Sequence, residues 1–169
     1  MSSLTSTAPA AFNQLYTLLA AAGATQNPAV SVFSQELVQY EPASYVLLKG
    51  IENHRFEWAA LGSYAQYETY DIVGEATVFQ GNIDPQTVIV ATYNVFQDIV
   101  MSTVLANSGS IPAGSGPVLG SAALQAAGLM WIIPGFARYT GEPGTMSNGS
   151  AGFAGTIEFS YSLKARITT

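Results

Sequence analysis

The sequence predicts an α+β fold, in which an N-terminal helix and one long central helix pack on a mixed or antiparallel β-sheet. Two segments, residues 67–79 and 153–167, show the two-residue alternation of half-buried strands. Residues 85–105 instead repeat apolar side chains at helical spacing, behind an Asp84 and Pro85 pair that is typical of a helix start. A chain of 169 residues is long enough for one domain with a substantial core. We therefore expect a single domain built on these segments.

Before the central strand, the sequence predicts one helix and three short strands. Ser6 or Thr7 can cap a helix that Gly23 ends. The three runs of strand-forming residues are 30–33, 45–48 and 56–62. A polar turn at residues 52–55 is expected to separate the last two.

The central strand, residues 67–79, should present a core face and a polar face. The core-facing side chains are Tyr70, Ile72, Gly74, Ala76 and Val78. The outward-facing side chains are Thr69, Asp71, Glu75 and Thr77. Glycine weakens a strand unless something approaches it closely, so we expect a helix backbone or a bulky side chain to lie over Gly74.

The central helix should bury a wide apolar stripe against this strand. The stripe consists of Ile89, Tyr93, Phe96, Val100 and Val104, with a second row at Val88, Val95 and Ile99. The solvent side is marked by Asn94, Gln97, Asp98 and Ser102. Because burial of each larger side chain contributes roughly 1.5 to 3 kcal/mol, this contact is predicted to be the main one in the core.

Two Gly-rich stretches interrupt the C-terminal half, and we expect flexible loops at residues 107–117 and 140–152. Between them, residues 118–126 and 128–133 are predicted to form one or two strands that end at Pro134.

Charge is scarce along the chain. Charged residues make up 9% of it, far below the roughly 25% of ordinary soluble domains, and the net charge is −6. A surface with so few charges is adhesive, so we expect neighbouring molecules to cover much of it. Five scattered basic residues do not predict specific nucleic-acid binding. Neither a secretory signal nor an uncharged apolar stretch of membrane-spanning length is recognisable, so no membrane partner is expected.

The residues that usually carry catalysis are few. The chain has no cysteine, which excludes disulfides, thiolate nucleophiles and cysteine zinc sites. Its one histidine, His54, lies in a polar stretch beside Glu52 and Arg55, and no Gly-x-Ser-x-Gly motif accompanies it. The carboxylates lack the spacing of a calcium loop. We therefore predict no catalytic, cofactor or metal residues and no enzyme.

The order of elements and one run of spaced residues match a known architecture. The run consists of Trp58, Leu61, Gly62, Glu68, Tyr70 and Ile72. The long helix from Pro85, a Gly-rich loop, a strand with a tryptophan and a final alternating strand follow. Taken over nearly the whole chain, this resembles the tail terminator (tail completion) proteins of long-tailed bacteriophages. The length of the two Gly-rich loops departs from that family.

The resemblance implies a structural virion protein that is assembled in the host cytoplasm. Members form a six-membered ring at the head-proximal end of the tail tube, where the ring ends tube growth and offers a surface to the head connector. The implied partners are further copies of the chain, the tail tube protein and the head-tail connector protein. The family has no catalytic residues to transfer. Low charge and the lack of recognisable chemistry independently favour a self-assembling part.

In such a ring DNA must pass without specific binding, and a wall that offers phosphates no cations would allow this. The outward face of the central strand, which consists of Thr69, Asp71, Glu75 and Thr77, is the predicted lumen wall; an outer solvated surface is the alternative. Lys164 and Arg166 alternate with the apolar face of the last strand. We expect those two at a contact with a neighbouring subunit or the tube.

Two other classes of protein fit parts of the sequence. A small non-catalytic binding module, for carbohydrate or protein, could use Trp58, Tyr64, Tyr67 and Tyr70 as an aromatic platform. An enzyme could use His54. A compact monomer in solution would favour the module, and a concentration-dependent ring would favour the structural protein.

Overall fold

The fold is given by a computed structural model that describes residues 5–34, 44–59, 65–81, 84–108, 116–145, 149 and 151–168. Its elements are α1 (Ala8–Ala24), β1 (Ser31–Phe33), β2 (Ser44–Trp58), β3 (Ala65–Gly81), α2 (Pro85–Val95), α3 (Ser102–Asn107), α4 (Ala122–Ala126), β4 (Leu129–Thr145) and β5 (Ala151–Thr168). A π-helical segment, Phe96–Met101, joins α2 to α3, and a 3₁₀ turn, Val118–Gly120, precedes α4. The strands form one sheet in the order β1-β2-β3-β5-β4. β1 is parallel to β2 and the other pairs are antiparallel. The predicted α+β fold is confirmed.

The described helices contact the sheet on one side, which we call the helix face; the opposite side is the open face. Alternate residues of β3 and β5 are buried on the helix face. There, Phe96 of the π-helical segment packs on Phe159 of β5. The Tyr161 hydroxyl donates a hydrogen bond to the Val100 carbonyl at 2.9 Å. The alternation predicted for both strands is therefore confirmed. β3 and β5 form the centre of the sheet, paired without irregularity from Ala65 to Gly81.

The prediction for Gly74 is also confirmed. A Cβ atom added to it would lie 2.6 Å from the Leu47 carbonyl oxygen and 2.7 Å from Cζ of Phe159. The bulky neighbour is thus a phenylalanine of the adjacent strand β5, with β2 backbone pressing from the other side.

The polar turn predicted at residues 52–55 is wrong, because β2 runs through it as one strand of 15 residues. Two irregularities in its pairing with β3 absorb the residues that suggested a turn, one at Lys49 and one between Glu52 and Arg55. Asn53, in the second, has a positive φ of 51°. Such bulges bend a strand and redirect side chains without ending it.

The central helix begins at Pro85 as predicted, but its buried stripe is partly different. Val88 and Thr92 are buried in α2, whereas Ile89 is half-buried and Tyr93 is 43% exposed. The Asp84 side chain makes no capping hydrogen bond. In length and hydropathy the helical segment Pro85–Asn107 would suffice to cross a membrane, and 39% of its most apolar stretch is buried inside the protein.

The C-terminal half departs furthest from the prediction. Residues 118–126 form the 3₁₀ turn and α4 rather than a strand, with the Ser121 hydroxyl capping α4 at the Leu124 N–H. β4 does not end at Pro134 but continues, past a bulge, to Thr145. The loop predicted at 140–152 is therefore largely a β4-β5 hairpin. Most of the other predicted loop, at 107–117, lies outside the described residues.

Candidate functional site

All five lysine and arginine side chains belong to the open face. Residues opposite each other in an antiparallel pair point to the same side of a sheet, and the register assigns Arg55, Arg138, Lys164 and Arg166 to the side of Thr69. Lys49, in the first β2 irregularity, reaches Glu75 on the same side. The helix face consequently carries no cation.

Two of these cations are paired in a network that crosses four strands. The Lys49 Nζ lies 2.6 Å from Glu75 Oε2 and 3.9 Å from Glu158 Oε1, and Arg138 donates to Glu158. The hydrogen bond to Glu75 raises the pKa of Lys49, and the hydrogen bond from Arg138 lowers the pKa of Glu158. These partly exposed pairs contribute little to stability. They neutralise the charges of the two cations and the two carboxylates at the middle of the open face.

The structure places on one face the two groups of residues that sequence analysis assigned to different surfaces. Thr69, Asp71, Glu75 and Thr77 lie on the open face as predicted, but Lys164 is directly opposite Thr69 and Arg166 is opposite Tyr67. The premise of an acidic wall without cations is therefore wrong for this face as a whole. Sequence analysis missed this because the relative register of two strands that lie 70 residues or more apart in the chain is not visible in their separate patterns.

At one end of the open face three cations remain without a carboxylate partner among the described residues: Arg55, Lys164 and Arg166. Lys164 lies over the ring of Tyr67, with its Nζ 4.4 Å from the ring centroid. Glu57, opposite Tyr67, and Asp71 lie on the same part of the face, so cations and carboxylates are interspersed there without ion pairs among the described residues.

At each edge of the sheet, a long strand segment has no paired strand among the described residues. β4 is the last strand on one side, and nearly all of its residues from Ile133 to Thr145 are exposed. On the other side, β1 pairs only with residues 45–47 of β2, so residues 49–58 form the edge in the described part of the chain. Unpaired edges of this length are pairing sites for another strand.

Large apolar side chains are exposed beside both edges. Phe136 is 56% exposed in the β4 bulge, near Ile133, and Trp58 is 66% exposed at the end of β2, near Phe56. Isolated exposed apolar residues are common on proteins, but pairs next to free strand edges are typical of contact surfaces.

A separate polar cluster surrounds Glu68, whose side chain is completely buried on the helix face. Its carboxylate accepts hydrogen bonds from the Ser6 hydroxyl, from the Thr7 N–H at 2.9 Å and hydroxyl at 2.7 Å, and it lies 2.7 Å from His54 Nε2. The Thr7 hydroxyl also lies 3.1 Å from that of Tyr70. Burial by itself raises the pKa of Glu68, but the four hydrogen bonds outweigh burial and lower it.

This cluster fastens the start of α1 to the sheet. The carboxylate lies at the positive end of the helix dipole. The N-cap residue is Thr7, whose side chain makes no capping hydrogen bond, while the Ser6 hydroxyl accepts from the Ala8 N–H at 3.1 Å. His54 and Ser6 both bond to Glu68, and no hydrogen bond joins the two side chains directly within the described residues. Sequence analysis did not predict the role of Glu68. Its core-facing position on β3 indicates that role, because a buried carboxylate requires hydrogen-bond donors around it.

The predicted aromatic platform is not formed. Tyr70 is buried on the helix face, Tyr67 lies on the open face, and Trp58 projects on the side of the helix face beyond α1. Tyr64 lies outside the described residues. In the described ranges no three His, Asp or Glu side chains cluster as metal ligands would. No protein-family model matches the sequence, and no curated protein is detectably similar to it.

Proposed function

We propose that the chain is the subunit of a homohexameric ring, a phage tail terminator that ends growth of the tail tube and joins the tail to the head connector. The observation that supports this best is that no described strand pairs with the outer edge of β4 or with the second half of β2. Each edge offers backbone N–H and C=O groups to a strand of another molecule. A subunit with a pairing edge on each side of one sheet is suited to head-to-tail assembly.

The two edges are unlike, which favours a ring over a symmetric dimer. On β4, Pro134 and Pro143 have no backbone N–H group. The segment between them includes residues 137–142, each of which has its N–H group. On β2, residues 49–58 contain no proline. Pairing of one edge with the other is a heterologous contact, and such contacts form closed rings when the rotation between subunits closes.

The placement of the helices favours an inward-facing open face. All helices in the described part of the chain lie on one side of the sheet, so subunits joined at their edges would curve toward the thinner side. Thr69, Asp71, Glu75 and Thr77 would then line the lumen, with two of the cations compensated by Glu75 and Glu158. The free cations, Lys164 and Arg166 with Arg55, would lie toward one mouth of the ring, where a neighbouring subunit or the tube can supply carboxylates.

Native mass spectrometry of the purified chain, with and without a charge beside the β4 edge, tests this proposal. Six copies of a 17.7 kDa chain give about 106 kDa. Phe136→Glu, which puts a carboxylate next to the pairing segment, should shift the population to monomer. Leu105→Glu is the matched control, since Leu105 is 68% exposed on α3 and belongs to neither edge strand, and it should leave the ring intact. Monomeric wild-type protein at every concentration and salt, or equal loss in both variants, contradicts the proposal.

A further inference from the structure

A pocket of about 390 Å³ opens on the open face at the second β2 irregularity. Its lining includes Asn53, Arg55, Thr69, Asp71, Trp131 and Ser162. The volume and the combination of one aromatic ring with a few polar groups are those of a small-molecule site. We propose that this pocket binds one ring of a neutral saccharide.

The polar groups of the pocket are held in place before any ligand arrives. Asn53 Nδ2 donates to Asp71 Oδ2 at 2.8 Å, and Ser162 Oγ donates to Asp71 Oδ1 at 2.6 Å. Asn53 makes its bond from a backbone conformation with φ of 51°, which is uncommon for a residue other than glycine. Three strands thus fix a carboxylate, an amide and a hydroxyl around one point, and such preorganisation lowers the entropic cost of binding.

Hydrogen-bonding capacity remains for a polyhydroxyl ligand. A carboxylate can accept about four hydrogen bonds, and Asp71 uses two, so it can accept from ligand hydroxyls. Asn53 keeps its amide oxygen, and Arg55, which has no ion pair in the described parts of the chain, keeps its donors. Trp131 is half-buried and supplies a ring against which the C–H side of a sugar can pack.

The charges of the pocket favour a neutral ligand over an anion. The Asp71 carboxylate is part of the lining and opposes phosphate or carboxylate groups, while Arg55 balances its charge. Lys164, the next cation along this face, is directed over Tyr67. All lining groups belong to one chain, so this proposal does not depend on the ring.

The two tryptophans make the test direct. Trp58 lies on the other side of the sheet, so Trp58→Phe leaves Trp131 as the only tryptophan reporter. Glucose, galactose and N-acetylglucosamine, each added up to about 50 mM, should include a sugar that changes Trp131 fluorescence saturably, with a Kd on the order of 1 mM. Asp71→Asn in the same background should weaken that response about tenfold, because a charge-assisted acceptor is replaced by a neutral one.

Trp131→Phe, which keeps Trp58 alone, is the matched control and should show no saturable response. Glucuronate and adenosine monophosphate serve as anionic probes. The proposal is overturned if no neutral sugar gives saturation, if only the anionic probes respond, or if Asp71→Asn responds like its parent while circular dichroism shows both to be folded.

Discussion

Gly74 lies at the centre of the sheet, where a single added methyl group should lower the stability of the fold. Gly74→Ala puts a Cβ atom 2.6 Å from the Leu47 carbonyl oxygen and 2.7 Å from Cζ of Phe159, where ordinary contacts are 3.4 Å or longer. The Leu47 oxygen belongs to a paired strand and cannot retreat without disturbing the β2-β3 ladder. The Phe159 ring is 1% exposed and is packed between Phe96 and Tyr161. Neither neighbour can move freely.

Overpacking of this kind costs roughly 1 to 3 kcal/mol of the free energy of unfolding. Replacing glycine with alanine also restricts the unfolded chain, which stabilises by about 0.4 to 1 kcal/mol where the site accepts the methyl group. The net effect at Gly74 should therefore be destabilising, and Gly74→Leu should cost at least as much. At about 2 to 4 °C per kcal/mol for a chain of this size, the melting temperature should fall by several degrees.

Urea unfolding followed by circular dichroism measures this, with Gly50→Ala as the matched control. Gly50 lies in β2, and a Cβ atom added there meets nothing within 4 Å. Gly50→Ala should be neutral or slightly stabilising. If Gly74→Ala is as stable as Gly50→Ala, the contact between β3 and Phe159 is misplaced and the register of the central strands is wrong.

Three further outcomes are expected. Glu68→Gln should lower stability by about 1 to 3 kcal/mol near neutral pH. Burial alone would raise the pKa of Glu68, but its hydrogen bonds outweigh burial and hold the pKa below its ordinary value of 4.5. The stabilisation from Glu68 is therefore present above pH 4.5 and is lost as the pH falls through the lower folded pKa. The difference between variant and wild type in urea melts should shrink over the same range. Tyr161→Phe, which removes the donor to the Val100 carbonyl, should cost about 1 kcal/mol in the same assay. If the open face lines a lumen, Asp71→Lys combined with Glu75→Lys should leave the ring assembled but make it bind DNA. In filter binding the ring should then retain DNA at low salt and release it at high salt. Rings that do not bind DNA at low salt would place this face elsewhere.

The parts of the fold that could be predicted are those with one buried side. β3 and β5 alternate cleanly because every second residue enters the core, and the solvent side of the central helix is marked by polar residues for the same reason. β4 beyond Pro134 and β2 beyond Lys49 are exposed on both faces, so no apolar period indicates a strand there. Residues 118–126 were too short and too apolar for their period to distinguish a helix from a strand.

The candidate surfaces depend on register, which the sequence does not reveal for distant strands. The cations gather on one face because Lys164 pairs with Thr69 and Arg55 pairs with the same residue from the other side. A bulge of two residues places Asn53 beside Asp71 and His54 beside Glu68, on opposite sides of the sheet. One residue more or fewer in that bulge would exchange the two faces.

Disulfide cross-linking tests head-to-tail pairing of the two edges most directly, because the chain has no cysteine of its own. Thr140→Cys on β4 is combined in turn with Glu52→Cys, Arg55→Cys and Glu57→Cys on the β2 edge, and Leu105→Cys on α3 replaces the β2 cysteine in the control. Under oxidising, non-reducing conditions one of the three combinations should give a ladder of covalent oligomers that stops at six, while the control gives none. Ladders that are absent from all three combinations, or a symmetric dimer from Thr140→Cys alone, would contradict a ring joined through its sheet edges.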